Sequence, residues 1–176
     1  MELNELRKQQ RIYHINHDRS FYTWLKARFY MEGAARSVCW LETTNIHPSV
    51  LTLLYGLLGI IGGVLLSLPN KVCIYLALVI FFTKGILDWS DGHLARIKGK
   101  VSKKGRIYDI LAGYIGIYAF YMGLGAFLSH FYGIVMIPYV FGVVYICKKL
   151  GVPVSRACVV DSIIFLLGVT TVFLTF

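Results

Sequence analysis

Apolar residues in this chain fall in long, nearly unbroken runs, at about residues 50–68, 72–87, 107–128, 131–147 and 159–176. Short polar stretches separate them. A helix needs about 20 mostly apolar residues to cross a bilayer, and each run is close to that length. Pro48 and Pro69 bracket the first run, and Pro138 inside the fourth predicts a kink. The pattern predicts an all-α, polytopic membrane helix bundle with about five transmembrane helices. Residues 21–41 differ, because aromatics there alternate with Lys and Arg. That stretch is too polar to span. It predicts an amphipathic helix lying in the membrane interface, aromatic side down, with an ordinary amphipathic helix packed on the bundle as the alternative. Two segments follow: a cytoplasmic or interfacial lead over residues 1–43 and a transmembrane domain over residues 44–176.

Composition agrees with the pattern. The chain has 176 residues and is 57% apolar, too apolar for an ordinary soluble domain. The formal net charge of +9 raises the question of nucleic acid, since basic patches bind phosphates. Placement answers it, and no nucleic-acid partner is expected. Arg7, Lys8, Arg11, Arg19, Lys26, Arg28 and Arg36 precede the first span; Arg96, Lys98, Lys100, Lys103, Lys104 and Arg106 follow the second; Lys148, Lys149 and Arg156 follow the fourth. The turn after the first span holds only Lys71, and the turn after the third holds no Lys or Arg. By the positive-inside rule the N-terminus is expected in the cytoplasm, the two short turns outside, and the end of the fifth span outside. No apolar h-region in the first forty residues predicts a signal peptide.

Cys39, Cys73, Cys147 and Cys158 lack CxxC spacing and read as small buried hydrophobes. His14 and His17 lie three apart in a charged lead and read as solvated surface. Gly59 and Gly63 form GxxxG, and Ala112 and Gly116 a similar small pair, both expected to serve helix packing.

The candidate chemistry lies between the second and third spans. Asp88 and Asp91 end one apolar run and Asp109 opens the next. In an antiparallel pair these acids share one membrane face, here the cytoplasmic one. Positions 88, 91, 92 and 95 recur at i, i+3 and i+4, so they share one side of a helix. Gly92 and Ala95 leave that side open. Three carboxylates together repel one another unless a cation joins them. An all-oxygen set favours a hard divalent cation, Mg²⁺ or Mn²⁺, with Ca²⁺ open. Magnesium is usually completed by substrate phosphates, which implies a phosphorylated substrate, with Arg96 able to fork onto its oxygens. Salt bridging among Asp88, Asp91, Lys84 and Arg96, without catalysis, is the structural alternative.

The run Asp88-x-x-Asp91-Gly92-x-x-Ala95-Arg96, eight residues, Gly105, three residues, Asp109 resembles the signature of the CDP-alcohol phosphotransferase (CDP-alcohol phosphatidyltransferase) family. The upstream PSVLT, residues 48–52, is similar to the segment that opens that family's first span, with Ser49 where Asn is usual. The resemblance covers roughly residues 20 to 130. It implies exchange of CMP in a CDP-linked lipid donor for a second alcohol, the acceptor, in phospholipid synthesis. It implies Asp88, Asp91 and Asp109 as metal ligands and catalytic groups, with Pro48, Ser49, Thr52, Gly92, Ala95, Arg96 and Gly105 in the CDP-binding part. CDP-diacylglycerol is the expected donor, membrane lipids are further partners, and a second copy of the chain is a candidate partner.

Two departures stand out. The family signature continues to a fourth acid four residues past the third, where it serves the second metal and is the usual base; here that position is Gly113. A silent member, a member with one well-held metal and another base, and an altered sequence all remain open. A silent member predicts a ligand-binding or structural membrane role. The family commonly has six spans, whereas five are read here; a naturally short member and a truncated chain are both open. Asp161, in the last span, is expected to pair with Arg156. The basic stretch from Lys98 to Arg106 is expected to meet anionic headgroups and to set topology.

Overall fold

A computed structural model of the chain describes residues 2–13, 21–128 and 130–151. Six α-helices and no strands occur among the described residues: α1 (Leu3–Tyr13), α2 (Phe21–Leu41), α3 (Pro48–Ser67), α4 (Lys71–Ile97), α5 (Lys103–Leu128) and α6 (His130–Leu150). The expectation of an all-α membrane helix bundle holds. Three helices, α3, α4 and α5 as far as Phe127, are long and apolar enough to cross a membrane. The expected fourth run corresponds to α6, with Pro138 inside it. The expected fifth run, Asp161, Arg156, Cys158, His14 and His17 lie outside the described residues.

Helix ends are set by local chemistry. Pro48 occupies the first position of α3, where a missing N–H costs nothing, and the Ser49 N–H donates to His47 Nδ1 at 3.3 Å. Asn70 caps α4: its Oδ1 accepts from the Val72 N–H at 2.9 Å. α4 then runs 27 residues, through both expected metal ligands, instead of stopping at residue 87. It ends at Gly99, whose φ is +61°. The Gly99 N–H reaches the Arg96 carbonyl at 3.2 Å and the Lys100 N–H the Ala95 carbonyl at 2.9 Å, the Schellman pattern that a glycine in the left-handed region permits. Ser102 caps α5, its Oγ accepting from the Gly105 N–H at 3.0 Å. The basic stretch expected as a loop is therefore loop only over residues 98–102, and Lys103, Lys104 and Arg106 belong to the first turns of α5.

The chain divides into two compact units: Met1–Tyr55 with Lys84–Ala112, and Gly56–Thr83 with Gly113–Phe176. Helices α3, α4 and α5 each contribute a segment to both. In the first unit, Leu6 of α1, Ala35, Val38 and Leu41 of α2, Leu51 of α3 and Leu94 of α4 form one buried cluster. Helices α2 and α4 approach closely there through paired glycines. A Cβ on Gly33 would lie 2.9 Å from Ile86 Cγ1, and one on Gly85 would lie 2.5 Å from Tyr30 Cε1. The Tyr30 ring stacks on Trp89 at 6.3 Å between centroids. The expected lead thus packs in the same unit as the first turns of α3. Its α2 buries Tyr30, Ala34 and Val38 while exposing Leu25, Phe29 and Trp40, a two-sided character that suits either an interface or a bundle surface.

α1 is a helix that the sequence reading missed. Arg7 grips Glu32 of α2 through both carboxylate oxygens, with Nε at 2.8 Å from Oε2, and Arg36 Nε adds a bond to the same carboxylate at 2.8 Å. These hydrogen bonds, Arg7 first and Arg36 second, hold the Glu32 carboxyl down at about 2.

The second unit is apolar. Leu66, Ala77, Phe81 and Phe120 form its core, with Phe81 and Phe120 edge to face at 5.2 Å. A Cβ on Gly63 would collide with the Ala119 backbone, and one on Gly123 with the Gly63 carbonyl, so α3 and α5 meet there backbone to backbone. Gly63 was expected to pack helices; its partner is the neighbouring helix α5.

Candidate active site

Helix α4 delivers Asp88 and Asp91, and α5 delivers Asp109 about two turns after its cap at Ser102. The five-residue connection fixed by Gly99 and Ser102 turns the chain back within the first unit, so α5 returns Asp109, 18 and 21 residues on in sequence, to the unit that holds Asp91 and Asp88. The charges of Asp88 and Asp109 both act on Asp91, and all three act on Tyr55. The three acids are thus near enough to feel one another's charge. No position of α4 from Lys84 to Ile97 is exposed, so Asp88 and Asp91 sit on a stretch that is half-buried or buried throughout.

Two of the three carboxylates are held by hydroxyls from α3. Thr52 Oγ1 donates to Asp91 Oδ2 at 2.5 Å. Tyr55 lies three residues on, on the same face of α3, and its hydroxyl is 2.6 Å from Asp109 Oδ1 and 2.7 Å from the Asp109 carbonyl. Thr52, Asp91 and Tyr55 are all buried. Lys84 Nζ stands 5.1 Å from the centre of the Tyr55 ring, a cation–π approach that keeps a positive charge beside the acids. Lys84 was expected on the face of Asp88; the tyrosine that receives it was not. The signal available in sequence was a second hydroxyl at i+3 from Thr52.

The other expected residues take defined places. Pro48 is buried, Ser49 is half-buried, and both open α3. Gly92 and Ala95 are half-buried on α4. A Cβ on Gly92 would come within 3.4 Å of a guanidinium nitrogen of Arg96, so Arg96 lies back along α4 over Gly92. A Cβ on Gly105 would crowd Ser102 Oγ at 3.1 Å, which ties Gly105 to the cap of α5. Lys98 serves structure: its Nζ donates to the Thr44 carbonyl at 2.6 Å and to the Ile46 carbonyl at 3.0 Å. It thereby fastens the α2–α3 connection, and with it the start of α3, to the end of α4. Among the described residues, the side-chain nitrogens and oxygen of the buried His93 and Gln10 have no hydrogen-bond partner.

The donor set is oxygen throughout, which suits Mg²⁺ or Mn²⁺. Carboxylates that ligate a metal are usually oriented by outer hydrogen-bond donors, the service Thr52 and Tyr55 give to Asp91 and Asp109. Among the described residues, no three His, Cys, Asp or Glu side chains already form a ligand cage. Chemistry and orientation thus fit a divalent cation, while the converged arrangement is not built in. A Cβ on Gly113 meets no heavy atom within 4 Å, so packing does not require glycine there.

Residues 45–172 match the CDP-alcohol phosphatidyltransferase family. That is well over half of the chain, and the protein belongs to this family of membrane transferases, which move substituted phosphate groups from a CDP-alcohol donor to an alcohol acceptor and generally depend on divalent metals. A comparison with curated proteins finds no match. The single chain described gives no support to a homodimer.

Proposed function

We propose that this protein is an integral-membrane phosphotransferase. It passes a phosphatidyl group from a CDP-linked lipid, CDP-diacylglycerol, to an alcohol and releases CMP. The observation that carries the reading is the cluster of Asp88, Asp91 and Asp109 on two neighbouring helices, with two of the carboxylates oriented by α3 hydroxyls. Asp88, Asp91 and Asp109 would hold Mg²⁺ or Mn²⁺. Bound there, the cation would stabilise charge developing on the phosphoryl oxygens.

In the reaction, the acceptor oxygen bonds to the lipid-bearing phosphorus, the phosphorus–oxygen bond to CMP breaks, and the acceptor proton leaves to a base. Pro48, Ser49, Thr52, Gly92, Ala95, Arg96 and Gly105 would line or shape the CDP-binding part. Of these, Arg96 is the residue suited to phosphate oxygens. Lys100, Lys103, Lys104 and Arg106 are exposed. Three of them sit at the start of α5, the positive end of the helix dipole, where cations do not help the helix. A role outside folding, such as meeting anionic headgroups on the cytoplasmic face, accounts for them better. The same charges favour a cytoplasmic N-terminus.

The second reading is a catalytically silent member with a binding role, and Gly113 favours it. The test is acceptor-dependent CMP release in liposomes with CDP-diacylglycerol and Mg²⁺ or Mn²⁺. Activity in the unmodified chain that disappears in Asp88→Asn supports an enzyme with another base. Silence in the unmodified chain with activity in Gly113→Asp identifies an intact pocket disabled at one position; the open space at Gly113 admits that side chain. Silence in both folded proteins rejects the transferase reading.

A further inference from the structure

Two hydroxyls one turn apart on α3 each hold a different acid of the cluster. Tyr55 is wholly buried, and its hydroxyl has one hydrogen to give. Two acceptors stand within reach, Asp109 Oδ1 at 2.6 Å and the Asp109 carbonyl at 2.7 Å. A carboxylate is the stronger acceptor, so the hydrogen serves Oδ1. Tyr55 thus holds the Asp109 carboxylate from α3, with the Asp109 carbonyl as the neighbouring, alternative acceptor. Thr52 reaches the Asp91 carboxylate from α3 at 2.5 Å; its other acceptor, the Pro48 carbonyl one turn back on α3, is at 3.4 Å, so its hydrogen too serves the acid.

We propose that Tyr55 and Thr52 are positioning residues of the phosphotransfer site, each fixing one metal-binding carboxylate, Asp109 and Asp91 respectively. The proposal rests on the reading of those carboxylates as cation ligands. It gives α3 a task beyond lining the donor pocket. With Gly113 in place of a fourth acid, three carboxylates carry the site, and each one left free to rotate would add an ordering cost on binding the cation. Lys84 Nζ lies over the Tyr55 ring at 5.1 Å.

A purely structural pin between α3 and its neighbours would change metal-free stability and leave cation affinity alone. The experiment therefore measures Mn²⁺ binding by the loss of free-ion electron paramagnetic resonance signal, on the full chain in detergent. Metal-free melting is recorded alongside, and CMP release is assayed separately. Tyr55→Phe keeps the ring and removes the hydroxyl; it is expected to weaken Mn²⁺ binding about 10- to 100-fold, the range for outer-sphere partners, a loss additional to any fall in metal-free melting temperature from the deleted hydrogen bond. Thr52→Val is expected to do the same, and Thr52→Ser to restore affinity. In an Asp109→Asn background, Tyr55→Phe should add no further loss. Should one α3 variant fail to fold, the other carries the test.

Unchanged Mn²⁺ affinity in the α3 variants overturns the proposal, as does a Tyr55→Phe loss that persists beside Asp109→Asn. Absence of Mn²⁺ binding by the unmodified chain overturns it too. CMP release with an unchanged Tyr55→Phe affinity sinks this inference and leaves the transferase reading standing. Hydroxyl-dependent Mn²⁺ binding without CMP release does the reverse.

Discussion

The two units of this protein use the same three helices for different work. In the first unit, α4 from Lys84 to Ile97 has no exposed position. Its partners reach it through named polar contacts: Thr52 to Asp91, Lys98 to two carbonyls. In the second unit, the same helix exposes Val72, Tyr75, Leu76 and Val79, and cohesion comes from backbone contact at Gly63 and Gly123 and from the Phe81–Phe120 pair. An apolar exposed face is what a helix shows to lipid. Sites that must hold carboxylates need donors at fixed distances; segments that must live in hydrocarbon need shape and small residues. One helix meets both demands because its sequence changes character near Lys84.

The sharpest way to break this contrast is Gly63→Ala. The added carbon would meet the Ala119 backbone, which cannot rotate away as a side chain can. We expect a loss of about 3 kcal/mol, the upper part of the overpacking range, read as a large fall in detergent melting temperature. Gly113→Ala should change stability little, because the added carbon meets nothing within 4 Å. Equal effects at the two glycines would show that backbone contact does not hold the second unit.

In the first unit the comparable change is Lys98→Met. It keeps the stem and deletes both donated hydrogen bonds. Bonds from charged donors contribute about 1.5–3 kcal/mol each way of counting, so a loss near 2 kcal/mol is expected. CMP release should fall as well, since the start of α3 carries Thr52. A variant as stable and active as the parent would return Lys98 to the anionic surface role expected from its charge.

A smaller change of opposite sign tests whether burial in the first unit always needs polar satisfaction. Gln10 and His93 are buried without side-chain partners among the described residues, and an unsatisfied buried group costs about 1–3 kcal/mol. Gln10→Leu is expected to raise the melting temperature. A fall would mean that a bound partner satisfies Gln10 in the working protein.

The sequence made the long apolar helices and the place of the three acids on α4 and α5 legible for one reason: both announce themselves by type. Long apolar runs and carboxylates beside them are rare and costly, so their placement is informative. Tyr55 was hidden because a tyrosine in an apolar span is ordinary, and only its reach to Asp109 gives it a role. α1 was hidden because residues 3–13 look like a solvated charged lead; its inward marks, Leu6 and Gln10 one turn apart with Leu3 packed beside Leu6, are few. Lys98 was misread because a lysine beside a membrane span usually serves topology, and its carbonyl acceptors belong to a connection 52 to 54 residues earlier.

That hidden α1 supplies the smallest and most selective test. Glu32 holds α1 to α2 through Arg7, and its folded-state value of about 2 lies below the ordinary value of 4.5. A lowered carboxyl value means that the unfolded form binds a proton first as pH falls. The stabilisation is thus complete above about pH 4.5 and is lost as pH falls from there through about 2. The pair is partly exposed, with about a third of each side chain accessible, so solvent and salt weaken it and its effect is local. Hydrogen exchange should show α1 losing protection between pH 4.5 and 2 while the Gly63–Ala119 contact region, which has no titrating partner at that contact, keeps its own. High salt at pH 7 should reproduce part of the α1 loss. Glu32→Gln should produce it at neutral pH and remove its dependence on acid. If α1 stays protected in Glu32→Gln, apolar packing through Leu6 holds the helix, and the first unit depends less on charge than its contacts imply.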